Sequence, residues 1–261
     1  MTTAPRMQET EPVVECMAIT KFFGGVEALH EVNVGFHAGE IVCLVGDNGA
    51  GKSTLVKILG GVYPPDTGEI RVGAHSSPAL TPAKARARGI EVVYQHLSLC
   101  DNLGAAANIM LGQEPCRFSL GPFRWIDERR TIQEARRRLT EAGASLDDVE
   151  IPVRRLSGGQ RQSVAIARAI GNASRLILLD EPTAALGVRQ TSATLDLIRR
   201  TAAQGIAVVV ISHNLDDVFA VGDRIVALRQ GRIMLDALKR DTSREEVVAC
   251  MLGLEFRKAG N

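Results

Sequence analysis

Residues 46–54 read GDNGAGKST, and within them Gly46, Gly51, Lys52 and Ser53 satisfy the spacing G-x-x-x-x-G-K-[ST]. Glycines in this pattern let backbone N–H groups turn inward onto phosphate oxygens. The lysine reaches the β and γ phosphates, and the hydroxyl after it ligates Mg²⁺. Residues 40–45, EIVCLV, read as a short buried strand leading into the loop, and residues 53–59 open a helix leaving it. A helix start aims its positive dipole end at the same phosphates. Strand, glycine-rich loop and helix together imply nucleotide binding.

A second element, RLILLDEP at 175–182, carries four apolar residues and then two carboxylates. Ligands of open α/β sheets gather at the C-terminal ends of strands. There Asp180 would enter the Mg²⁺ shell, and Glu181 would orient or deprotonate an attacking water, because phosphoryl transfer demands positioning and charge neutralisation above all. The plainer reading is that both carboxylates cap the turn before Pro182. Gln95 and His213 also follow strand-like runs, IEVVY and IAVVVIS. A Gln can contact Mg²⁺ or water and a His can hydrogen-bond a γ-phosphate, although either alone is an ordinary surface residue. Phe22 and Phe23 could stack on an adenine ring or simply pack in the core.

A third element, LSGGQ at 156–160, opens a helix rich in small and apolar residues. Ser157 reads as its N-cap. Gly158 and Gly159 permit close backbone approach, and the free N–H groups behind them suit an anion. One domain thus carries two glycine-rich anion sites.

The elements that position these residues alternate between strand and helix signals. Residues 1–12 read as a polar tail, and 13–23 and 28–36 as strands separated by Gly24-Gly25. Thr81-Pro82 reads as an N-cap with proline at the first helical position, ahead of a strand at 90–94. From 97 to 173 helical signals dominate, including 127–142, which suggests an inserted helical subdomain. Strands return at 176–179 and 206–211 around a helical span at 188–204, the rhythm of a parallel sheet. Two short strands then flank Gln230-Gly231, and Ser243 with Glu246 forms a capping-box pattern for a last helix.

Composition excludes several classes. Lys and Arg total 31 against 30 Asp and Glu, so a net charge of +1 gives no electrostatic reason to expect a nucleic-acid partner. Arg136–Arg138 does not change this, because Glu128, Glu134 and Glu141 intersperse it. Wholly apolar runs such as 206–211 reach only six residues, far short of the roughly 20 a spanning helix needs. The first 15 residues lack a basic start followed by an apolar stretch, so no secretory signal is expected. Five scattered cysteines without a C-x-x-C pair read as reduced thiols of a cytosolic protein.

Taken together, GDNGAGKST, Gln95, LSGGQ, LILLDEP and His213, in this order over nearly the whole chain, resemble the ATP-binding subunit of an ABC transporter. The resemblance implies a P-loop NTPase fold of the α/β class: a mostly parallel sheet core, an antiparallel β subdomain and the inserted helical subdomain at 97–173, all in one domain over 13–261. It implies ATP and Mg²⁺ as cofactors, with Phe23 stacking on adenine and Gly46, Asp47, Asn48, Gly49, Ala50, Gly51, Lys52, Ser53 and Thr54 holding the phosphates. Ser53, Gln95 and Asp180 would serve the metal, Glu181 would be the catalytic base, and Gln95 and His213 would complete the catalytic set. In this family two ATPase domains pair head to tail, so Ser157, Gly158, Gly159 and Gln160 would act on the partner's ATP. That explains two anion sites in one domain.

Residues 96–112 fall where family members meet the membrane permease, which implies a groove for a short permease helix. GDNGAGKS, VYQHLSL and EPTAALG are most similar to importers of ribose, xylose or fructose type. The implied partners are a permease and, through it, a sugar-binding protein, with a homodimer on the cytoplasmic face of the inner membrane. Gly187 departs from the commoner Asp, and a glycine there is expected to allow backbone angles other residues resist. Two alternatives share the motifs: a soluble ABC protein of ribosomes or DNA, and an ATPase of lipid extraction. The first usually carries two ABC domains or long coiled-coil insertions, neither of which fits one P-loop and about 75 inserted residues. Its membrane partner would distinguish the second.

Overall fold

The computed structural model describes residues 11–120, 123–172, 175–184 and 186–254. The expected tail at 1–12 lies almost wholly outside them. Strands β1 (Val14–Phe23), β2 (Val26–Phe36) and β3 (Ile41–Val45) lead through the glycine loop into helix α1 (Lys52–Leu59). Then follow β4 (Thr67–Val72), β5 (His75–Ser77), α2 (Pro82–Ala87), β6 (Ile90–Val93) and α3 (Ala105–Ile109). The middle of the chain holds β7 (Cys116–Leu120), β8 (Phe123–Ile126), α4 (Glu128–Glu141) and α5 (Gly158–Asn172). The last part runs through β9 (Leu176–Asp180), α6 (Val188–Ala203), β10 (Ala207–Ile211), α7 (Leu215–Val221), β11 (Arg224–Arg229), β12 (Arg232–Leu238) and α8 (Arg244–Leu252).

Six strands form the central sheet in the order β12-β11-β3-β10-β9-β6. All neighbours are parallel except the β11–β12 hairpin at one edge. Strands buried on both faces need apolar residues at every position, and IVCLV and AVVVI are such runs. Their alternate residues enter two separate cores. Ile41, Cys43 and Val45 face one shared with α4–α8, while Val42 and Leu44 face another shared with α1 and β1, β2 and β4. The second core is closed by the antiparallel sheet β2-β1-β4-β5.

Arg224 knits the two sheets together. It is fully buried, and its guanidinium donates to Glu40 Oε1 at 2.7 Å, to both Asp236 oxygens at 2.9 and 3.0 Å, and to Gly35 O. Removing one partner from such a pair costs about 3–5 kcal/mol, since the remaining charge stays buried.

Thr81 caps α2 through a bond from Lys84 N, with proline at the first helical position, and Ser243 Oγ accepts from Glu246 N at the start of α8. Within 97–173, where helical signals dominate the sequence, the described residues are not all helical. Residues Cys116–Leu120 and Phe123–Ile126 pair as an antiparallel hairpin. The exposed Phe118 and Trp125 rings stack across it, centroids 5.2 Å apart and 13° from parallel. A cross-strand aromatic pair of this kind stabilises a two-stranded ribbon that is otherwise marginal.

Candidate functional site

The glycine loop joins the end of β3 to α1, and its backbone conformation requires glycine. Gly46 has φ 147°, and a Cβ there would lie 2.3 Å from Leu228 O; at Gly51, φ is 108° and a Cβ would lie 2.7 Å from Ala28 O. These close approaches fix the loop against β11 and β2. Lys52 Nζ folds back over it, donating to Gly46 O at 2.5 Å and Asp47 O at 3.0 Å. Burial lowers the pKa of Lys52, opposed by Glu181, Asp180 and Asp47. The N–H groups of Gly49, Gly51, Lys52 and Ser53 have no acceptor among the described residues. A ring of unsatisfied donors around an ammonium is what a polyphosphate chain fits.

Strand order brings the carboxylates to this loop. Only β10 separates β9 from β3, and all three end on the same side of the sheet. Asp180, half-buried at the end of β9, has its pKa raised by desolvation first and Glu181 second, while Lys52 opposes both. Among the described residues no cluster of three or more His, Cys, Asp or Glu side chains could hold a metal by itself. Mg²⁺ in nucleotide sites takes one or two carboxylates and fills its octahedron with phosphate and water. The Ser53 hydroxyl and Asp180 beside the loop fit that pattern.

Glu181 has φ 53°, an uncommon conformation for a bulky residue and one often stored at functional positions. Its N–H donates to Ile211 O at 3.0 Å, and its Oε2 lies 2.7 Å from His213 Nδ1. The imidazole is 74% exposed, while the carboxylate is mostly covered. Both line a cavity of about 230 Å³ with Thr183, Ser212, Asn214 and Asp217. In the sequence each residue follows a strand-like run, and nothing there reveals their direct contact. The parallel β9–β10 register is what joins them.

Gln95 follows β6 and is exposed. The adjacent Tyr94 has its pKa raised by burial and then by Asp180, so this strand end also approaches the carboxylates. Phe22 and Phe23 are exposed, which overturns the core-packing reading of both. Phe23, 43% exposed, meets Tyr63 edge-on at 5.3 Å and lies under Lys21 Nζ at 5.6 Å, a half-open aromatic surface.

LSGGQ stands apart from the glycine loop, with no hydrogen bond or ion pair between the two among the described residues. Ser157 caps α5 with a reciprocal box: Gln160 N donates to Ser157 Oγ at 3.3 Å and Ser157 N to Gln160 Oε1 at 2.9 Å. Gly159 is tight, since a Cβ would lie 3.0 Å from Gln190 Cγ. Gln190 in turn accepts from Gly187 N at 3.2 Å, so the starts of α5 and α6 touch. Gly187 corrects an expectation. It sits at φ −74°, ψ 162°, open to any residue, and a Cβ would meet nothing nearer than Gln190 Oε1 at 3.9 Å. It is an N-cap without a capping side chain.

The family model described as ABC transporter matches residues 29–184. The chain is 39% identical over 246 residues to the fructose import ATP-binding protein FrcA of Rhizobium meliloti, covering 93% of this chain and 95% of that protein. It is 37% identical over 246 residues to the xylose/arabinose import ATP-binding protein XylG of Sulfolobus acidocaldarius, covering 94% and 96%. A third relative, ribose import ATP-binding protein RbsA 2 of Rubrobacter xylanophilus, is 40% identical over 242 residues; the match covers 93% of this chain and 46% of that longer protein. Among solved structures, the dimeric post-hydrolysis ATP-binding cassette MJ0796 with ADP and Pi superposes with a TM-score of 0.72 at 29% identity, covering 87% of this chain and 99% of that one. The ADP form of the cassette MJ1267 superposes at 0.79 with 24% identity, covering 93% and 96%, and speaks to the fold alone.

Proposed function

The chain belongs to the ABC transporter family as one of its ATP-hydrolysing cassettes, and on that premise we propose that it powers monosaccharide import through a membrane permease, working as a head-to-tail homodimer. The observation that carries the reading is the separation of the two anion sites. One faces the carboxylates, while the capped start of α5 leaves the N–H groups of Gly158 and Gly159 without an acceptor, and Ser157–Gln160 make no bond to a carboxylate among the described residues. A second copy would supply what each half lacks, and the MJ0796 cassette is itself described as a dimer. Support for a sugar as cargo comes from the relatives named for fructose, xylose/arabinose and ribose import. A sugar-binding protein outside the permease, and a place on the cytoplasmic face of the inner membrane, accord with that role. No helix among the described residues is long and apolar enough to cross a membrane.

In the proposed mechanism Phe23 stacks on adenine, and residues Gly46–Thr54 bind the phosphates through backbone N–H groups and Lys52. Ser53, Gln95 and Asp180 would hold Mg²⁺, which would supply charge neutralisation to the transferring phosphoryl group. Glu181 accepts the proton of the attacking water. His213 releases its bond to Glu181 and turns to the γ-phosphate, which frees the carboxylate for that task. Ser157–Gln160 of each copy close over the other copy's ATP. Residues 96–112, which include α3, bear the groove for the permease.

Glu181→Gln keeps Lys52 and the loop and removes only the base. ATP affinity stays within about twofold, turnover falls by about 10²–10⁴, and ATP with Mg²⁺ shifts the protein to a dimer on gel filtration. Hydrolysis near the wild-type rate overturns the assignment of Glu181. An ATP-bound variant that stays monomeric counts against head-to-tail pairing.

A further inference from the structure

Arg168 stands ten residues beyond Gly158 on α5, about 15 Å along the axis. Its half-buried guanidinium leaves the helix and donates two hydrogen bonds, Nη1 to Ser98 O and Nη2 to Leu97 O, each at 3.0 Å. Both carbonyls belong to the loop that follows Gln95. Ser98 has φ 49°, a conformation that side-chain-bearing residues adopt only when their surroundings impose it. The far half of the loop is held separately by the buried Asn108 of α3. Its Oδ1 accepts from Cys100 N at 2.7 Å, and its Nδ2 donates to Cys100 O, Leu103 O and Gly104 O. Among the described residues one more polar tie joins α5 to this region, the exposed pair Arg161–Asp101 at 2.8 Å, and exposed pairs of that kind contribute little. Leu97 and Leu99 also pack on the core that α5 helps to form, but apolar contacts can slide, so Arg168 is the directional connection: a planar fork on two successive carbonyls, anchored in a continuous helix.

We propose that Arg168 is a positioning residue that makes the loop after Gln95 move with α5. A nucleotide-driven shift of Ser157–Gln160 then reaches the cavity of about 390 Å³ that Tyr94, Leu97, Ser98 and Arg168 help to line. The inference rests on the proposed reading in which LSGGQ meets the partner's ATP. A lysine would keep the charge but not the fork, because an ammonium is a point donor.

Cys100 provides the readout, since it is exposed and lies two residues past Ser98, while Cys16 and Cys43 are buried. In a Cys116→Ser, Cys250→Ser, Glu181→Gln background, Cys100 is labelled with an environment-sensitive thiol fluorophore and titrated with ATP and Mg²⁺. Affinity is measured in parallel by calorimetry and dimerisation by gel filtration. The parent shows an ATP-dependent change at Cys100. Arg168→Ala reduces its amplitude at least fivefold with ATP affinity within twofold, and Arg168→Lys falls between. Should Arg168→Ala not fold, Arg168→Gln is read by the same criterion. Equal amplitudes in parent and variant overturn the proposal. So does a parent that binds ATP and dimerises with a silent Cys100, an outcome that leaves the proposed function standing. A parent that binds no ATP removes both.

Discussion

Gly187→Asp tests how the chain leaves the catalytic strand. Gly187 is the N-cap of α6, extended at φ −74°, and its carbonyl accepts from Thr191 N at 2.9 Å. Gln190 Oε1 already accepts from Gly187 N, so half of a capping box exists and only the return bond from a cap side chain is absent. Space is available, because a Cβ meets nothing within 3.9 Å. An aspartate would accept from the Gln190 N–H and complete the box. Asp in place of Gly at an N-cap contributes a few tenths of a kcal/mol, and a carboxylate at a helix start about 0.3–1 kcal/mol more at low salt. The sum, about 0.5–1.3 kcal/mol, raises Tm by about 1–5 °C for a chain of this size. Calorimetry of the nucleotide-free protein at low and high salt measures it, and salt reduces the dipole part. In the proposed dimer the same charge would approach polyphosphate, so ATP-driven dimerisation weakens severalfold, roughly 1 kcal/mol. A lower Tm in the variant refutes the extended N-cap assignment, and a large loss of monomer ATP affinity would place residue 187 in the nucleotide pocket.

Two other perturbations follow from the site. Asp180→Asn raises the stability of the nucleotide-free protein while abolishing Mg²⁺-dependent ATP binding. The folded pKa of Asp180 is raised, so its favourable contribution is full below the ordinary carboxylate pKa and lost as pH rises through the raised value. The wild-type protein should therefore lose part of a low-pH stabilisation that the variant never shows, and identical pH profiles of Tm would contradict this. Mixing a Ser157→Arg subunit with a Lys52→Ala subunit leaves one intact composite site in the heterodimer, so activity returns although each variant alone is dead. Verified heterodimers without activity would rule out the composite site.

The central strands were legible because burial on both faces forces unbroken apolar runs, and the loop and carboxylate motifs fell where those strands end. The hairpin β7–β8 was not read, because its stability comes from a cross-strand stack of Phe118 on Trp125. Periodicity within each short run carries no trace of that pairing, although Gly121-Pro122 between two aromatic stretches was a turn signal. Gly187 was misread because a glycine's identity does not reveal its φ. The Glu181–His213 contact and the Arg168 tie join residues 32 and about 70 positions apart. Each depends on strand register or helix placement, which local patterns leave open.

The reciprocal cap at Ser157 also explains why a serine suits that position better than an aspartate, which caps a helix equally well. A hydroxyl has two lone pairs and one proton. Accepting from Gln160 N uses one lone pair and fixes the oxygen in place. The proton stays available, so the group that holds its own helix start is an oriented donor toward an anion arriving from outside. A carboxylate would give the same cap with no proton to offer and a charge of the wrong sign. Intrachain stability and interchain recognition thus draw on different faces of one oxygen atom.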